Sequence, residues 1–195
     1  MIERIYNKYE LVALCGKAGS GKNYIINRLK KLYHNDVNFI IQDTTRPKRK
    51  NEENGVEYNF VTKNEFINNK YIETMYFNNW WYGTRTSALD INKVNIGIFN
   101  PGSIMQLYQR DDLNIHLFHV LADDKIRITR QLTREEYPDV KEICRRFLAD
   151  EEDFEMLYKY PVTYISNSSS FFSKNTIEEL IAFINNLRLH MDKIS

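Results

Sequence analysis

The sequence predicts an α/β protein in which a parallel sheet is covered by helices on both faces. Short apolar runs alternate with segments of helical spacing along most of the 195 residues, a pattern typical of parallel strands joined by crossover helices. A glycine-rich loop joins the first run to the first helical segment. A polar and aromatic stretch at residues 42–87 interrupts the alternation and indicates an inserted subdomain within one domain.

Apolar runs and helical spacing predict the elements of the core. The runs predict five buried strands over residues 9–14, 37–41, 95–99, 115–121 and 160–166. Apolar residues at helical spacing predict helices over residues 23–33, 102–110 and 176–191. The charged segment 123–154 also has helical spacing, with an interruption near Tyr137 and Pro138.

The insertion contains elements of its own. The dipeptide Asn54-Gly55 predicts a turn, the alternation over residues 56–61 a strand, and residues 63–69 a short helix. Residues 71–82 are aromatic and β-prone, and Gly83 predicts a turn at their end.

Composition and charge exclude several classes of protein. Lys and Arg number 27 against 26 Asp and Glu, a net charge of +1 that gives no support to a general nucleic-acid or membrane partner. No stretch approaches the length of a membrane span, and the first ten residues contain no apolar run, so no signal peptide is expected. Two cysteines form no disulfide framework, so we expect a reducing, cytoplasmic location.

The clearest motif is the loop Gly16-Lys17-Ala18-Gly19-Ser20-Gly21-Lys22, which we call the phosphate loop. Its glycines let successive N–H groups point at phosphate oxygens, and the following helix adds partial positive charge. Lys22 is expected to reach the β- and γ-phosphates of a nucleotide. Asn23 stands where a Ser or Thr hydroxyl normally touches Mg²⁺, so we expect Asn23 to contact the metal weakly, through its amide oxygen or a water.

A second motif is typical of a site for a phosphate monoester. Residues 44–61 read TTRPKRKNEENGVEYNFV, with Arg46 and Arg49 three positions apart and Tyr58 downstream. Guanidinium groups bind phosphate in bidentate fashion, and a phenol adds a neutral donor. Together with the phosphate loop, this motif strongly resembles guanylate kinase, a P-loop nucleoside monophosphate kinase, over nearly the whole chain.

The resemblance implies roles for particular residues of the insertion. It implies that Arg46, Arg49, Tyr58 and Tyr82 hold the phosphate of GMP. It also implies that Glu73, in the segment YIET, accepts hydrogen bonds from guanine, while Thr84 donates to the base.

The resemblance also implies an arginine-rich lid. Arg127, Arg130 and Arg134 lie at positions i, i+3 and i+7 and are expected to share one helix face. The family's lid arginines correspond best to Arg130, Arg134 and Arg146. Asn167 resembles a residue near the adenine of ATP. The implied organisation is a core of residues 1–41, 88–126 and 151–195, a monophosphate-binding subdomain at 42–87 and a lid at 127–150.

Several positions depart from the family pattern. Asn100 stands where an aspartate normally helps to bind guanine. Gln42 and Asp43 replace small hydroxyl residues before the Thr-Thr-Arg run, and Asn23 replaces the metal-binding hydroxyl. These departures concern the base and the metal rather than the phosphates.

The sequence therefore predicts transfer of the γ-phosphate of ATP to GMP or dGMP, with Mg²⁺ as cofactor, by a monomer or homodimer. One alternative is a nucleoside monophosphate kinase of broader or deoxynucleotide preference, which Asn100 suggests. The other is an inactive guanylate-kinase-like module that binds a phosphorylated peptide through Arg46, Arg49 and Tyr58. Lys22 in an otherwise intact loop argues against the inactive module.

Overall fold

The computed structural model describes residues 8–50, 52–134, 136–168 and 170–193. Residues 1–7, which belong to the predicted core and to the segment without an apolar run, lie outside the described residues, as do residues 194–195. In chain order the strands and helices are β1 (Tyr9–Cys15), α1 (Lys22–Tyr33), β2 (Asn38–Phe39), β3 (Asp43–Thr44), β4 (Asn59–Phe60), α2 (Lys63–Asn68), β5 (Tyr71–Phe77), β6 (Trp80–Arg85), β7 (Asn95–Ile98), α3 (Pro101–Leu107), β8 (Leu113–Leu121), α4 (Asp124–Leu132), α5 (Val140–Glu155), β9 (Val162–Ser166) and α6 (Ser170–Met191).

The core is a parallel sheet with the strand order β2-β7-β1-β8-β9. Side chains of β1 alternate between two hydrophobic clusters because successive residues of a strand point to opposite faces. Val12 and Leu14 pack with α1 and α6, whereas Leu11 and Ala13 pack with α3. The predicted parallel sheet with helices on both faces is confirmed.

The carboxyl ends of the parallel strands form one edge, where ligands bind in open α/β sheets. The phosphate loop follows β1 at this edge. Asn100 lies two residues after β7, and Asn167 directly follows β9. The topology thus brings three separate predicted site segments to the same side of the core.

A second sheet, the inserted sheet, has the strand order β4-β3-β6-β5. Its hairpin β5–β6 turns at Asn78 and Asn79, whose φ angles are 47° and 65°. Asparagine tolerates this left-handed conformation better than most residues. The predicted turn at Gly83 is therefore wrong. Gly83 lies inside β6, where a Cβ would come within 2.8 Å of the Tyr71 ring.

Two predicted strands are shorter than their apolar runs. The run 37–41 provides only β2 at the edge of the core sheet. The run 56–61 provides only β4, because its first part forms turns in which the Gly55 N–H donates to the Tyr58 carbonyl and the Val56 N–H donates to that of Glu53.

The segment 123–154 forms two helices separated at the predicted interruption. Asp139 caps α5 by accepting a hydrogen bond from the Glu142 N–H at 3.1 Å. Helix α4 ends at Leu132, so the expectation that Arg134 shares a helix face with Arg127 and Arg130 is wrong. Among the described helices, none has the length and apolar character needed to span a membrane.

Candidate active site

The phosphate loop is held open by glycines in left-handed conformations. Gly19 and Gly21 have φ angles of 78° and 98°. A Cβ on Gly21 would lie 2.1 Å from the Asn167 side-chain nitrogen, so a larger residue has no room there. Ser20 Oγ is buried and has no hydrogen-bond partner within the described ranges. The loop thus contains a buried hydroxyl that is free to accept or donate a hydrogen bond among the described residues.

Lys22 opens helix α1 and points back into the loop. Its Nζ donates to the carbonyl oxygens of Gly16 at 2.5 Å and Lys17 at 3.2 Å. Burial lowers the pKa of Lys22 to about 8, and the positive charge of Arg146 acts in the same direction. The positive charge of the Lys22 ammonium is therefore poorly stabilised where it lies. An anion bound in the loop would stabilise that charge better than the two carbonyl groups do.

Arg130 and Asn167 brace the loop from the side. Arg130 Nη1 donates to the carbonyls of Gly19 at 3.1 Å and Ser20 at 3.2 Å, and its Nη2 donates to that of Asn167 at 3.0 Å. The Asn167 amide donates to the Ser20 carbonyl at 2.8 Å. The structure therefore brings both predicted residues to the phosphate loop.

The other two predicted lid arginines, Arg134 and Arg146, do not contact the phosphate loop in the way that Arg130 does. Arg134 is exposed beyond the end of α4 and has no side-chain partner among the residues described, so the structure does not bring it to the loop. Arg146 lies on α5, and its charge lowers the pKa of both Lys22 and Tyr58, although burial raises the pKa of Tyr58 overall. Arg146 is thus electrostatically coupled to the phosphate loop and to the inserted sheet.

Sequence reasoning missed a buried ion pair behind the loop. Arg127 is 1% exposed, and its Nη2 lies 3.2 Å from the carboxylate of Asp150 on α5. Asp150 also accepts a hydrogen bond from the Ala18 N–H at 2.5 Å. Only the spacing of Asp124 and Arg127 signalled a paired arginine, since residues three apart on a helix face each other. The partner on α5 has no local signal.

On the segment that joins β3 to β4, a carboxylate holds Arg46. Its two terminal nitrogens donate to Glu52 at 2.8 and 3.0 Å, a bidentate pair. The guanidinium also lies over the rings of Tyr58 and Phe60, at 5.7 and 5.5 Å from their centroids. These contacts fix the position of the Arg46 guanidinium.

The remaining predicted phosphate contacts lie around Arg46. The Tyr82 ring packs edge-on against Tyr58 with centroids 5.8 Å apart. Arg49 is exposed, and its backbone N–H donates to Glu52 at 2.9 Å. The structure therefore brings Arg46, Tyr58 and Tyr82 together, whereas Arg49 is joined to this group only through its backbone contact with Glu52.

Glu73 is a buried carboxylate, 2% exposed, on strand β5. Its Oε1 accepts from Thr84 Oγ1 at 2.7 Å and from the Gln42 amide at 3.1 Å, and its Oε2 accepts from Ser103 Oγ at 2.5 Å. Burial raises the pKa of Glu73, while these three hydrogen bonds oppose the rise. The predicted pair Glu73 and Thr84 is in direct contact.

Asn100 is connected to Glu73 by two successive hydrogen bonds, through Ser103. It caps helix α3, where its Oδ1 accepts from the Ser103 N–H at 2.9 Å and its Nδ2 donates to Ser103 Oγ at 2.9 Å. Asn100 thus reaches Glu73 only through Ser103. Ser103 was not predicted, and Gln42 was noted only as a departure, because the partners come from elements far apart in the sequence.

Asn23 provides an oxygen atom that suits a magnesium ion bound together with a nucleotide. Asn23 lies in the first turn of α1, where it is exposed and has no side-chain partner among the described residues. Its amide oxygen is an acceptable Mg²⁺ ligand. In the part of the chain that the structure describes, no group of three or more His, Cys, Asp or Glu residues is placed to hold a metal ion.

Comparisons with known proteins agree with this architecture. The model of the guanylate kinase family matches residues 8–168. Guanylate kinase of Lawsonia intracellularis is 42% identical over 77 residues, 37% of this chain and 36% of that protein. MAGUK p55 subfamily member 7 of Xenopus tropicalis is 29% identical over 200 residues, 96% of this chain and 34% of that protein.

Guanylate kinase from Anaplasma phagocytophilum has a similar solved structure, with a TM-score of 0.61 at 14% identity. The match covers 93% of this chain and 87% of that one, and at this identity it concerns the fold. The matched segments span 36% and 34% of the two curated relatives' lengths.

Proposed function

Because this chain belongs to the guanylate kinase family, as the match over residues 8–168 shows, we propose that it transfers the γ-phosphate of ATP to GMP or dGMP. The observation that carries the proposal is that one chain holds both halves of such a site: the phosphate loop with Lys22 Nζ directed into it, and an insertion in which Arg46, Tyr58 and Tyr82 lie together. The positive charge of Arg146 on α5 acts on the pKa of Lys22 and of Tyr58. A site for one ligand needs only one of these two halves. A phosphotransferase needs both halves, and it needs a positive charge, here that of Arg146, that acts on both.

The donor half binds phosphate through backbone and side-chain donors. The loop N–H groups and the dipole of α1 favour an anion at the helix start. Ser20 Oγ, buried without a partner among the residues described, gains an acceptor when a phosphate oxygen enters, since buried polar groups are normally hydrogen-bonded. Lys22 then exchanges carbonyl partners for phosphate oxygens. Arg130 and Asn167 keep the loop in place.

The acceptor half orients the phosphate of the monophosphate. Arg46 and Arg49 provide positive charge, and Tyr58 and Tyr82 provide hydroxyl donors. Glu52 holds the Arg46 guanidinium in position. This fixed geometry reduces the conformational entropy lost when the acceptor binds.

Glu73 selects the base. Its carboxylate accepts from the ring N–H and the exocyclic amino group of guanine, donors that adenine does not present together. A carboxylate offers about four acceptor sites, and Gln42, Thr84 and Ser103 occupy three of them. Binding of both guanine donors therefore displaces one present partner, and Gln42 has the longest of these hydrogen bonds, at 3.1 Å. Asn100 supports the site through Ser103.

Phosphoryl transfer between two phosphates needs positioning and charge neutralisation more than a general base, because the attacking oxygen is already anionic. We assign residues 42–87 to acceptor binding and residues 127–150 to a lid that excludes water when it closes. Arg130, Arg134 and Arg146 are the lid cations. Arg134 reaches the nucleotide only if the lid moves from the arrangement described above.

A bound Mg²⁺ would supply positive charge that neutralises the phosphates of the donor. Asn23 is the residue placed to offer it an oxygen. We place the reaction in the cytoplasm, where both free thiols, Cys15 and Cys144, stay reduced. The proposed partners are ATP and a purine nucleoside monophosphate, without nucleic acid or membrane, in a monomer or homodimer.

The second candidate function is an inactive module that binds a phosphorylated peptide through Arg46, Arg49 and Tyr58. The match to MAGUK p55 subfamily member 7, a protein not named as a kinase, favours it. A module of this kind has no need of a nucleotide at the phosphate loop.

Two measurements decide between the candidates. Thermal unfolding with and without Mg²⁺-ADP reports on the phosphate loop, and a coupled assay measures ADP release from ATP with GMP as acceptor. The kinase is stabilised by ADP and releases ADP in proportion to GMP. Absence of both responses in a folded sample contradicts the proposed kinase activity.

A further inference from the structure

The phosphate loop is gripped at Ala18 by two charged side chains. The Ala18 N–H donates to Asp150 at 2.5 Å, and the Ala18 carbonyl accepts from Arg127 Nε at 3.1 Å. Arg127 Nη2 closes the arrangement on Asp150 at 3.2 Å. The N–H and the carbonyl of one residue are therefore fixed by an ion pair whose members lie on two different helices, α4 and α5.

Each nitrogen of the Arg127 guanidinium already has a protein partner among the described residues. Nε is bound to Ala18 and Nη2 to Asp150, while Nη1 donates to Asp124 at 2.6 Å and lies 3.5 Å from Glu151. The guanidinium is covered by the Phe147 ring, 4.7 Å from its centroid. The residue is also 1% exposed, so its contribution is to structure around the loop rather than to a ligand.

The phosphate loop also packs closely against the backbone of Arg127. A Cβ on Gly19 would lie 2.5 Å from the Arg127 carbonyl oxygen. Lys17, at the other side of Ala18, pairs with Glu151 of α5. The conformation of residues 17–19 therefore depends on where α4 and α5 lie.

We propose that Arg127 and Asp150 are positioning residues that hold the phosphate loop in its nucleotide-binding conformation and so link donor affinity to the position of α5. The inference rests on the proposed function, in which the loop binds the donor. Buried ion pairs fix geometry when every group is satisfied, and breaking one leaves an uncompensated charge. An alternative role for Asp150 is to compete, as an anion, with the phosphate of the donor for the loop. In that case removal of its carboxylate would tighten donor binding instead of weakening it.

Calorimetric titration of the full chain with Mg²⁺-ADP and, separately, with GMP tests the proposal. Asp150→Ala should weaken ADP binding by about tenfold or more, the scale of a lost hydrogen bond to a charged group, and leave GMP binding unchanged. Asp150→Asn keeps an acceptor oxygen for the Ala18 N–H and should fall between Asp150→Ala and wild type. Asp153→Asn removes an exposed charge on the same helix and should bind as wild type does.

Amide exchange gives a local readout that general destabilisation does not reproduce. The Ala18 amide should lose protection in Asp150→Ala, while the amides of the inserted sheet keep theirs. Unchanged or tighter ADP binding by Asp150→Ala overturns the proposal, as does an equal loss of ADP and GMP binding. Failure of the wild-type chain to bind ADP contradicts the proposed function itself, a result separate from these.

Discussion

The phosphate loop and the insertion hold their functional groups by different means. In the loop, the groups that face a donor are mainly backbone N–H groups, and charged side chains from α4 and α5 fix them from behind. In the insertion, the functional groups are side chains that fix one another, as Arg46 and Glu52 do. Substitutions in the phosphate loop should therefore lower turnover, whereas substitutions in the insertion should change the affinity and selectivity for the acceptor.

The largest effect is expected for Lys22→Met. The substitution removes the cation at the mouth of the loop, and loss of one transition-state contact of roughly 3–4 kcal/mol reduces turnover about 10²–10³-fold. Steady-state kinetics with saturating GMP measures it. Lys31→Met, an exposed lysine of the same helix, is the matched control. Near-normal turnover of Lys22→Met rules out the assigned donor site.

Arg46→Ala should act on the acceptor side alone. Loss of the charge-assisted hydrogen bonds to phosphate raises the KM for the monophosphate by about 10- to 100-fold. The KM for ATP should not change, because Arg46 contacts no residue of the loop. Arg49→Ala should act in the same direction, and Lys48→Ala serves as the exposed neighbour that changes neither constant. A raised KM for ATP with a normal acceptor constant contradicts the division between the two halves.

Raising the pH should weaken donor binding through Lys22. Because the pKa of Lys22 is lowered to about 8, the ammonium is charged below that pH and loses its proton above it. ADP affinity should vary little from about pH 7 to 8, where the terminal phosphate is ionised, and then fall by up to about tenfold per pH unit, the limit for one proton. Lys22→Arg remains charged throughout and should show no inflection near pH 8. GMP affinity should not follow the Lys22 titration.

Asn100→Asp is expected to have the smallest effect. An aspartate still accepts from the Ser103 N–H and caps α3, but it adds a second carboxylate near the guanine donors. The preference for GMP over AMP should increase a few-fold, as measured by kcat/KM for each acceptor. Ser103→Ala interrupts the connection between Asn100 and Glu73 and should remove the gain in the double variant. A lower preference in Asn100→Asp would exclude Asn100 from base selection.

The phosphate loop could be predicted from a local sequence motif. Other parts of the site could not, because their residues meet through contacts between distant positions in the sequence. The order strand, glycine loop and helix identified Lys22 from adjacent residues alone. Ser103 and Gln42 lie 30 and 31 positions from Glu73, respectively, and no spacing rule connects them. Asp150 lies 132 positions from Ala18. Arg134 and Gly83 were misplaced because a helix end and a turn depended on partners that periodicity does not show.

Guanine is selected, in the proposed function, by a buried carboxylate of the inserted sheet, Glu73. A coupled assay of ADP release with GMP, dGMP, AMP, UMP and CMP tests this selection for wild type, Glu73→Gln and the exposed control Glu53→Gln. A site built on such hydrogen bonds rejects an unmatched base by several kcal/mol, so wild type should prefer GMP or dGMP over AMP by at least about 100-fold in kcat/KM. Glu73→Gln should lose most of that preference and Glu53→Gln none. Equal use of AMP and GMP by wild type, unchanged in Glu73→Gln, would contradict this role of Glu73.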